Sequence, residues 1–366
     1  MRILLVGPTH PFRGGIAHHT TLLAGALRDR CELTFVSYRR LYIDALYPGT
    51  TDRDASNDAI ASEHVEHVLD TLAPWTFYAL GRRARGFDAI VLPWWVAFWA
   101  PYYLLVLAGL RRRARVVFVC HNVIEHEPSA VKRAATRAVL SRGDAFVVQS
   151  REEAERLREL VGPRAIAVSP HPPYDVFDCG RYTRASARAS LGIAPDDEVV
   201  LSFGFIRPYK GIDVLLAAMP AVIAARPRAR LLVVGEVWGD DAKLRAAAGE
   251  RCTLVLEYVP NEDVERYVKA ADVMALPYTS GSGSGIAQIA LAMRVPVVAT
   301  AIGTFTDVLD RDRLVPPGDP AALAAALVEA LAHPRPVEAP HASWDALAET
   351  IIGLARRPAG DESPTR

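Results

Sequence analysis

Short apolar runs alternate with longer amphipathic stretches along the chain. Runs at 2–6, 32–37, 88–92, 115–120, 145–149 and 165–168, then at 199–204, 230–234, 252–256, 273–277 and 296–300, mostly lack polar alternation. Strands covered on both faces read this way. Stretches at 16–29, 128–142, 151–161, 211–225, 261–271 and 320–332 carry helical spacing. Strand–helix repetition predicts a parallel sheet flanked by helices, and here it occurs twice. The joint is Ser169-Pro170-His171-Pro172-Pro173, which can continue neither a helix nor a central strand. The expected architecture is α/β, with two Rossmann-like doubly wound domains, 1–172 and 173–342, facing a cleft. Ligands of such sheets bind beyond the carboxyl ends of the strands. A last helix starts near Ser343 and runs through Trp344, Leu347, Ile351 and Leu354 to about 357, and 358–366 reads as a disordered tail.

Two segments break the pattern. Residues 38–58 are polar and irregular, long enough to suggest a functional loop. Pro93 to Leu110 is the most apolar run, rich in tryptophan and bordered by Arg82, Arg83, Arg85 and Arg111 to Arg113. It reads as a buried helix or as a helix dipping into a membrane surface, with Trp94 and Trp95 as the dipping side chains. A true span is disfavoured, because it would break the domain in half.

Charge and cysteines narrow the class. Lys+Arg and Asp+Glu are each 42, so the net charge is zero and nothing marks a nucleic-acid binder. Cys31, Cys120, Cys179 and Cys252 are too far apart in sequence for a metal or redox motif. A reducing, cytoplasmic compartment fits them.

Candidate chemistry gathers on strand-to-helix loops. Pro277-Tyr278-Thr279-Ser280-Gly281-Ser282-Gly283-Ser284-Gly285-Ile286-Ala287-Gln288 leaves one apolar run and enters a helix, with no charge between Met274 and Met293. Gly/Ser runs also serve as flexible linkers. This one follows a strand, and its amides with a helix N-terminus suit a diphosphate. Arg207 and Lys210 lie on the loop after Gly204; two cations at a helix start oppose the helix dipole unless an anion lies between them. Gly14-Gly15 at the first helix start admits a phosphate or sugar, or simply makes a tight turn. His121 ends a strand, where an imidazole meets ligands. Gly235-Glu236 and Tyr258-Val259 end later strands and could frame a base, and Asn261 could cap the next helix. His126 with Glu125 and Glu127 lacks the spacing of a metal pair, so no metal is expected.

Taken together, these residues resemble the retaining glycosyltransferases of family 4, which have the GT-B fold. The resemblance covers about residues 1–357. It rests on Pro11-Phe12-Arg13-Gly14-Gly15-Ile16, on Phe203 to Gly211 followed by Asp213-Val214-Leu215-Leu216, on Ala270-Ala271-Asp272-Val273, and on Tyr278 to Thr300. It implies a nucleotide-diphosphate sugar donor in the C-terminal domain and an acceptor in the N-terminal domain. The acceptor is expected to be a glycan or lipid-linked, the latter fitting the tryptophan-rich run at 93–110. The last helix would return to the N-terminal domain. Neither a metal nor a further cofactor is implied. By position, Lys210 would hold the donor phosphates, Gly15 would lie against the diphosphate and sugar, and His121 would stand near the sugar. Arg207, Lys210 and His121 are thus the expected catalytic residues. Gly14, Gly15, Gly204, Ser282, Gly283, Ser284, Gly285 and Gln288 are the expected donor contacts.

The chain departs from the family twice. The usual two glutamates, eight positions apart, fall on Gly281 and Ile289, leaving Gln288 as a partial substitute. The arginine is Arg207, whereas the residue after Gly204 is Phe205. Ser-Gly-Ser-Gly in place of the first glutamate resembles a subgroup of bacterial surface-polysaccharide enzymes, which implies a role in cell-surface polysaccharide or glycolipid synthesis. With the cysteine usage and the tryptophan run, a cytoplasmic enzyme peripheral at the inner membrane face is expected. The alternatives are a non-catalytic subunit of such an assembly and a nucleotide-sugar 2-epimerase on the same fold. A nicotinamide dehydrogenase is disfavoured, because no three-glycine fingerprint follows a strand.

Overall fold

The computed structural model describes all residues except 44–46, 48, 55, 57–59, 125–128, 282, 338–341 and 357–366. Ser282, the Glu125–His126–Glu127 group and the tail expected at 358–366 therefore lie outside the described residues.

The first sheet contains β1 (Arg2–Val6), β2 (Glu32–Arg40), β3 (Val65–Asp70), β4 (Ala89–Trp94), β5 (Arg115–Cys120), β6 (Ala145–Val148) and β7 (Ala165–Val168). Their spatial order is β3-β2-β1-β4-β5-β6-β7, and the pairs are parallel. The second contains β8 (Glu198–Phe203), β9 (Ala229–Val234), β10 (Cys252–Val255), β11 (Val273–Leu276), β12 (Val297–Thr300) and β13 (Leu314–Val315). It is also parallel, in the order β10-β9-β8-β11-β12-β13. Around the first sheet lie α1 (Gly15–Arg28), α2 (Trp75–Ala84), α3 (Ala100–Leu110), α4 (Ala130–Leu140) and α5 (Arg151–Val161). Around the second lie α6 (Arg184–Ser190), α7 (Ile212–Ala225), α8 (Ala242–Ala247), α9 (Val264–Ala270), α10 (Gly285–Ala292), α11 (Phe305–Val308) and α12 (Pro320–Ala332). The last helix, α13 (Trp344–Ala355), is capped by Ser343 and lays Leu347, Ala348 and Ile351 among Ile3, Leu5, Leu23 and Leu27 of the first domain. The two doubly wound domains and the returning helix are those expected.

The differences have local causes. β2 continues through Tyr38 to Arg40, into the segment expected to be irregular. β3 was missed because it is an edge strand in which Glu66, His67 and Asp70 dilute the apolar signal. Pro93 lies inside the buried strand β4, where a proline is unexpected. Pairing of β1 with β4 covers only Ala89 to Val91, so on that side the missing N–H costs no ladder bond. Asn261 caps no helix through its side chain; it starts a short 3₁₀ turn ahead of α9. The tryptophan run divides between the end of β4, a 3₁₀ turn at Ala97–Trp99 and α3. Trp94, Trp95 and Trp99 are buried, so Trp94 and Trp95 cannot dip into a membrane.

Candidate active site

Five strand-to-helix loops bring most of the predicted residues to one cavity between the domains. Gly14 and Gly15 enter from the N-terminal domain. Gly204, Arg207, Lys210, Gly235, Glu236, Tyr258, Val259 and Gly285 face them from the C-terminal domain. Gly14 takes φ 104°, open to glycine, and turns the chain into α1. A Cβ on Gly15 would meet nothing within 4 Å, so its backbone lies open to the cavity. The amino ends of α1 and α10 thus point their free amides at the same space.

The loop after β8 is pressed against the Gly/Ser loop. Gly211 has φ 65°, and a Cβ there would stand 2.0 Å from the Pro277 carbonyl oxygen. The Thr279 amide donates to the Tyr209 carbonyl at 2.8 Å. This contact fixes Lys210, whose ammonium donates to the Tyr278 hydroxyl. That hydroxyl lies 2.8 Å from Ser284 Oγ, which caps α10 by accepting from the Ala287 amide. Burial lowers the Lys210 pKa to about 8; Arg207 adds to the shift and Tyr209 opposes it. Arg207 is exposed, its guanidinium over the rings of Tyr209 and Trp238 at 5.3 and 5.1 Å.

Other predicted residues sit differently. Gln288 is buried off the cavity wall, its Oε1 without a hydrogen-bond partner, whereas Ile289 lines the wall. One helical step turns a side chain by about 100°, so these neighbours cannot share a direction. Gly283 and Ser284 stand behind Gly285 and outside the wall. His121 also lies off it: Nδ1 is 3.2 Å from Gln149 Nε2, and Gln149 Oε1 is 3.4 Å from where a Gly283 Cβ would be. Burial, with His171 adding, lowers the His121 pKa to about 3, so the ring is neutral at ordinary pH.

Glu236 and Tyr258 reach the cavity but spend their polar atoms between the domains. Glu236 accepts from Arg13 Nη2 at 2.6 Å, Trp238 Nε1 at 3.1 Å and the Thr50 amide at 2.9 Å. Burial works to raise its pKa, but the bonds from Thr50 and Trp238 and the charge of Arg13 prevail and hold it below the usual carboxylate value. Tyr258 Oη donates to Asp54 at 2.6 Å, and its ring lies 4.4 Å from the Arg13 guanidinium. Their expected place beside a base is thus reduced to what the Tyr258 ring and the backbone offer.

Two polar wall residues escaped the sequence reading as site residues. His18 follows Gly15 by three positions, hence on the same face of α1, which was its one available signal. Its Nε2 is buried without a hydrogen-bond partner, and burial lowers its pKa to about 4 against the pull of Asp54 and Asn261. Asn261 lines the cavity across from it. Among the described residues, no three His, Cys, Asp or Glu side chains converge as metal ligands would.

Models of known families match both halves: a glycosyl transferase 4-like domain over residues 14–172 and glycosyl transferases group 1 over 197–333. A D-inositol 3-phosphate glycosyltransferase of Geodermatophilus obscurus is 32% identical over 83% of this chain and 75% of its own length. The chain belongs to the group 1 glycosyltransferases. Its two parallel-sheet α/β domains match those of GT-B glycosyltransferase structures. A second D-inositol 3-phosphate glycosyltransferase, from Segniliparus rotundus, is 35% identical over 45% of this chain, and the match spans only 38% of that protein. Across the first three relatives matched, the chain covers 38%, 61% and 42% of their length. Among solved structures, the Anabaena protein HepE in complex with UDP-glucose shares the fold, with a TM-score of 0.68, 16% identity and 97% of each chain covered.

Proposed function

We propose that this chain is a retaining glycosyltransferase that takes its sugar from a nucleotide diphosphate held in the cavity. One observation carries the reading: Lys210, Arg207 and the amino ends of α1 and α10 converge on one space, where Glu236, the one carboxylate among the described wall residues, is bonded to Arg13, Thr50 and Trp238. In the transfer, the bond from the anomeric carbon to the leaving phosphate oxygen breaks. The acceptor hydroxyl oxygen bonds to that carbon on the same face, and its proton passes to the leaving phosphate. Charge grows on the diphosphate, and fixed cations and helix-end amides stabilise it without reorganising. Neutral His121 holds Gln149 behind the Gly/Ser loop and so supports the loop's shape. No metal or further cofactor is part of the proposal.

On the acceptor side, Arg39, Arg40 and Arg53 surround Asp70 and Asp52 at the carboxyl edge of the first sheet. They suit an acceptor that bears phosphate. Lipid-linked glycans share that feature with the inositol 3-phosphate in the relatives' name. We place the enzyme in cell-surface polysaccharide or glycolipid synthesis, on the cytoplasmic side.

A donor-hydrolysis screen over UDP- and GDP-sugars tests the reading. Lys210→Ala should lower turnover on the preferred donor at least about 100-fold, the scale of one lost transition-state contact. Near-normal turnover would remove Lys210, and with it the proposed charge stabilisation.

A further inference from the structure

α2 and α3 lie side by side on the outside of the N-terminal domain, almost backbone to backbone. A Cβ on Gly81 would stand 2.0 Å from the Val106 carbonyl oxygen, and one on Gly109 2.3 Å from that of Tyr78. The two helices therefore present one continuous surface. α3 contains no charged residue. Tyr103, Val106 and Leu110 point into the core, yet on the far side Pro101 and Ala108 are exposed and Leu104 and Leu105 half-buried. A helix apolar on every side is normally covered. Beside it stand Leu72 (53% exposed), Trp75 (69%), Tyr78 (37%) and Phe98 (37%). Single exposed apolar residues are ordinary, but a contiguous group of them marks a contact surface.

The charges around this surface identify its partner. Between Thr71 and Arg115, Asp88 is the sole acid; Arg83 is paired with Glu66, which leaves Arg82, Arg85 and Arg111 to Arg113 in excess. At the other end, the Leu72 amide donates to Asp70, whose carboxylate is matched by Arg39 and Arg40. An apolar strip with an arginine cluster at one end, and one net positive charge from Arg39, Arg40 and Asp70 at the other, complements a surface that is anionic outside and apolar beneath. Arginine also reaches such a boundary readily, its stem in the apolar layer and its head in water. A line of rings then leads inward. Phe98 lies 5.8 Å from Tyr42, Tyr42 5.5 Å from Tyr47, and Tyr47 5.6 Å from Trp238 on the cavity wall.

We propose that the Leu72–Trp75–Tyr78–Phe98 surface, with the outer side of α3, docks on a bilayer rich in anionic phospholipid. Docking so holds the carboxyl edge of the first sheet close to the membrane. If the proposed lipid-linked acceptor is right, the ring line is its path to the cavity; the docking itself does not depend on that.

Sedimentation of the full chain with vesicles tests the proposal, and donor hydrolysis without vesicles is read separately. The chain should sediment with equimolar phosphatidylglycerol–phosphatidylcholine vesicles at low salt, and much less with phosphatidylcholine alone. Leu72→Gln with Trp75→Gln should lower the partition coefficient at least about 10-fold, through lost apolar burial. Arg111→Gln, Arg112→Gln and Arg113→Gln together should lower it about 100-fold, at roughly a tenfold factor or less per cation. Both variants should hydrolyse donor as the parent does. Failure of the parent to sediment with the anionic vesicles would overturn the proposal. So would binding that both variants retain, or a dimer in light scattering that the variants dissolve while vesicles are ignored, which would assign the surface to a second copy. A parent that binds vesicles but turns over no donor would support the docking and count against the transferase chemistry alone.

Discussion

Lys210 holds its charge against its surroundings, and that gives the site a pH dependence. Burial lowers its pKa to about 8, so the ammonium is present at neutral pH and is lost as the pH rises through that value. The charged form is the one that attracts a diphosphate. Hence kcat/KM, which reports ionisations of the free enzyme, should fall on the alkaline side with an apparent pKa near 8. kcat should hold to higher pH, because the bound diphosphate stabilises the ammonium. A kcat/KM profile level to pH 10 would show that Lys210 stays charged or plays no part. The two cations were legible in the sequence because they oppose the helix dipole at a strand-to-helix loop. His18 and Asn261 were not read as site residues. A histidine on an amphipathic helix and an asparagine before one have common structural explanations, and only the facing domain turns them into cavity wall.

Among the elements, buried strands and helices with clear spacing were legible, and contacts between loops were not. β3 and the two-residue β13 carry too little apolar pattern to register, and Pro93 in β4 contradicts the usual place of proline. The Gly/Ser loop was read as an anion cradle, but its dependence on Gly211 is purely tertiary: the obstacle is the Pro277 carbonyl, far along the chain. Gly211→Ala forces a side chain into a left-handed backbone and against that oxygen. It should lower the unfolding free energy by about 1–3 kcal/mol in urea titration. It should also weaken nucleotide binding, since separating the loops moves Lys210 from Tyr278 and Ser284. Unchanged stability and affinity would mean that the loops do not need this close approach.

For the whole molecule, the strand–helix repetition and the proline-rich joint revealed two domains, and the family resemblance supplied the returning helix. They could not reveal what holds the domains together, because Arg13 and Glu236 are 223 positions apart with no local pattern linking them. Their side chains are 1% and 9% exposed, so the pair is a buried ion pair bridging the domains. Removing one member of a buried pair leaves the other without compensation, at a cost of about 3–5 kcal/mol if nothing moves. Here the domains offer an escape, since opening the cleft returns Arg13 to water. Glu236→Gln should therefore open the molecule more than unfold it. Small-angle X-ray scattering without nucleotide should give a larger radius of gyration than the parent, and nucleotide affinity should fall because the closed form is less populated. Arg13→Met combined with Glu236→Leu removes both charges at once and should restore much of the compactness. An unchanged radius in Glu236→Gln would show that the bonds of Tyr258 with Asp54 and the other contacts across the cleft suffice to keep it closed.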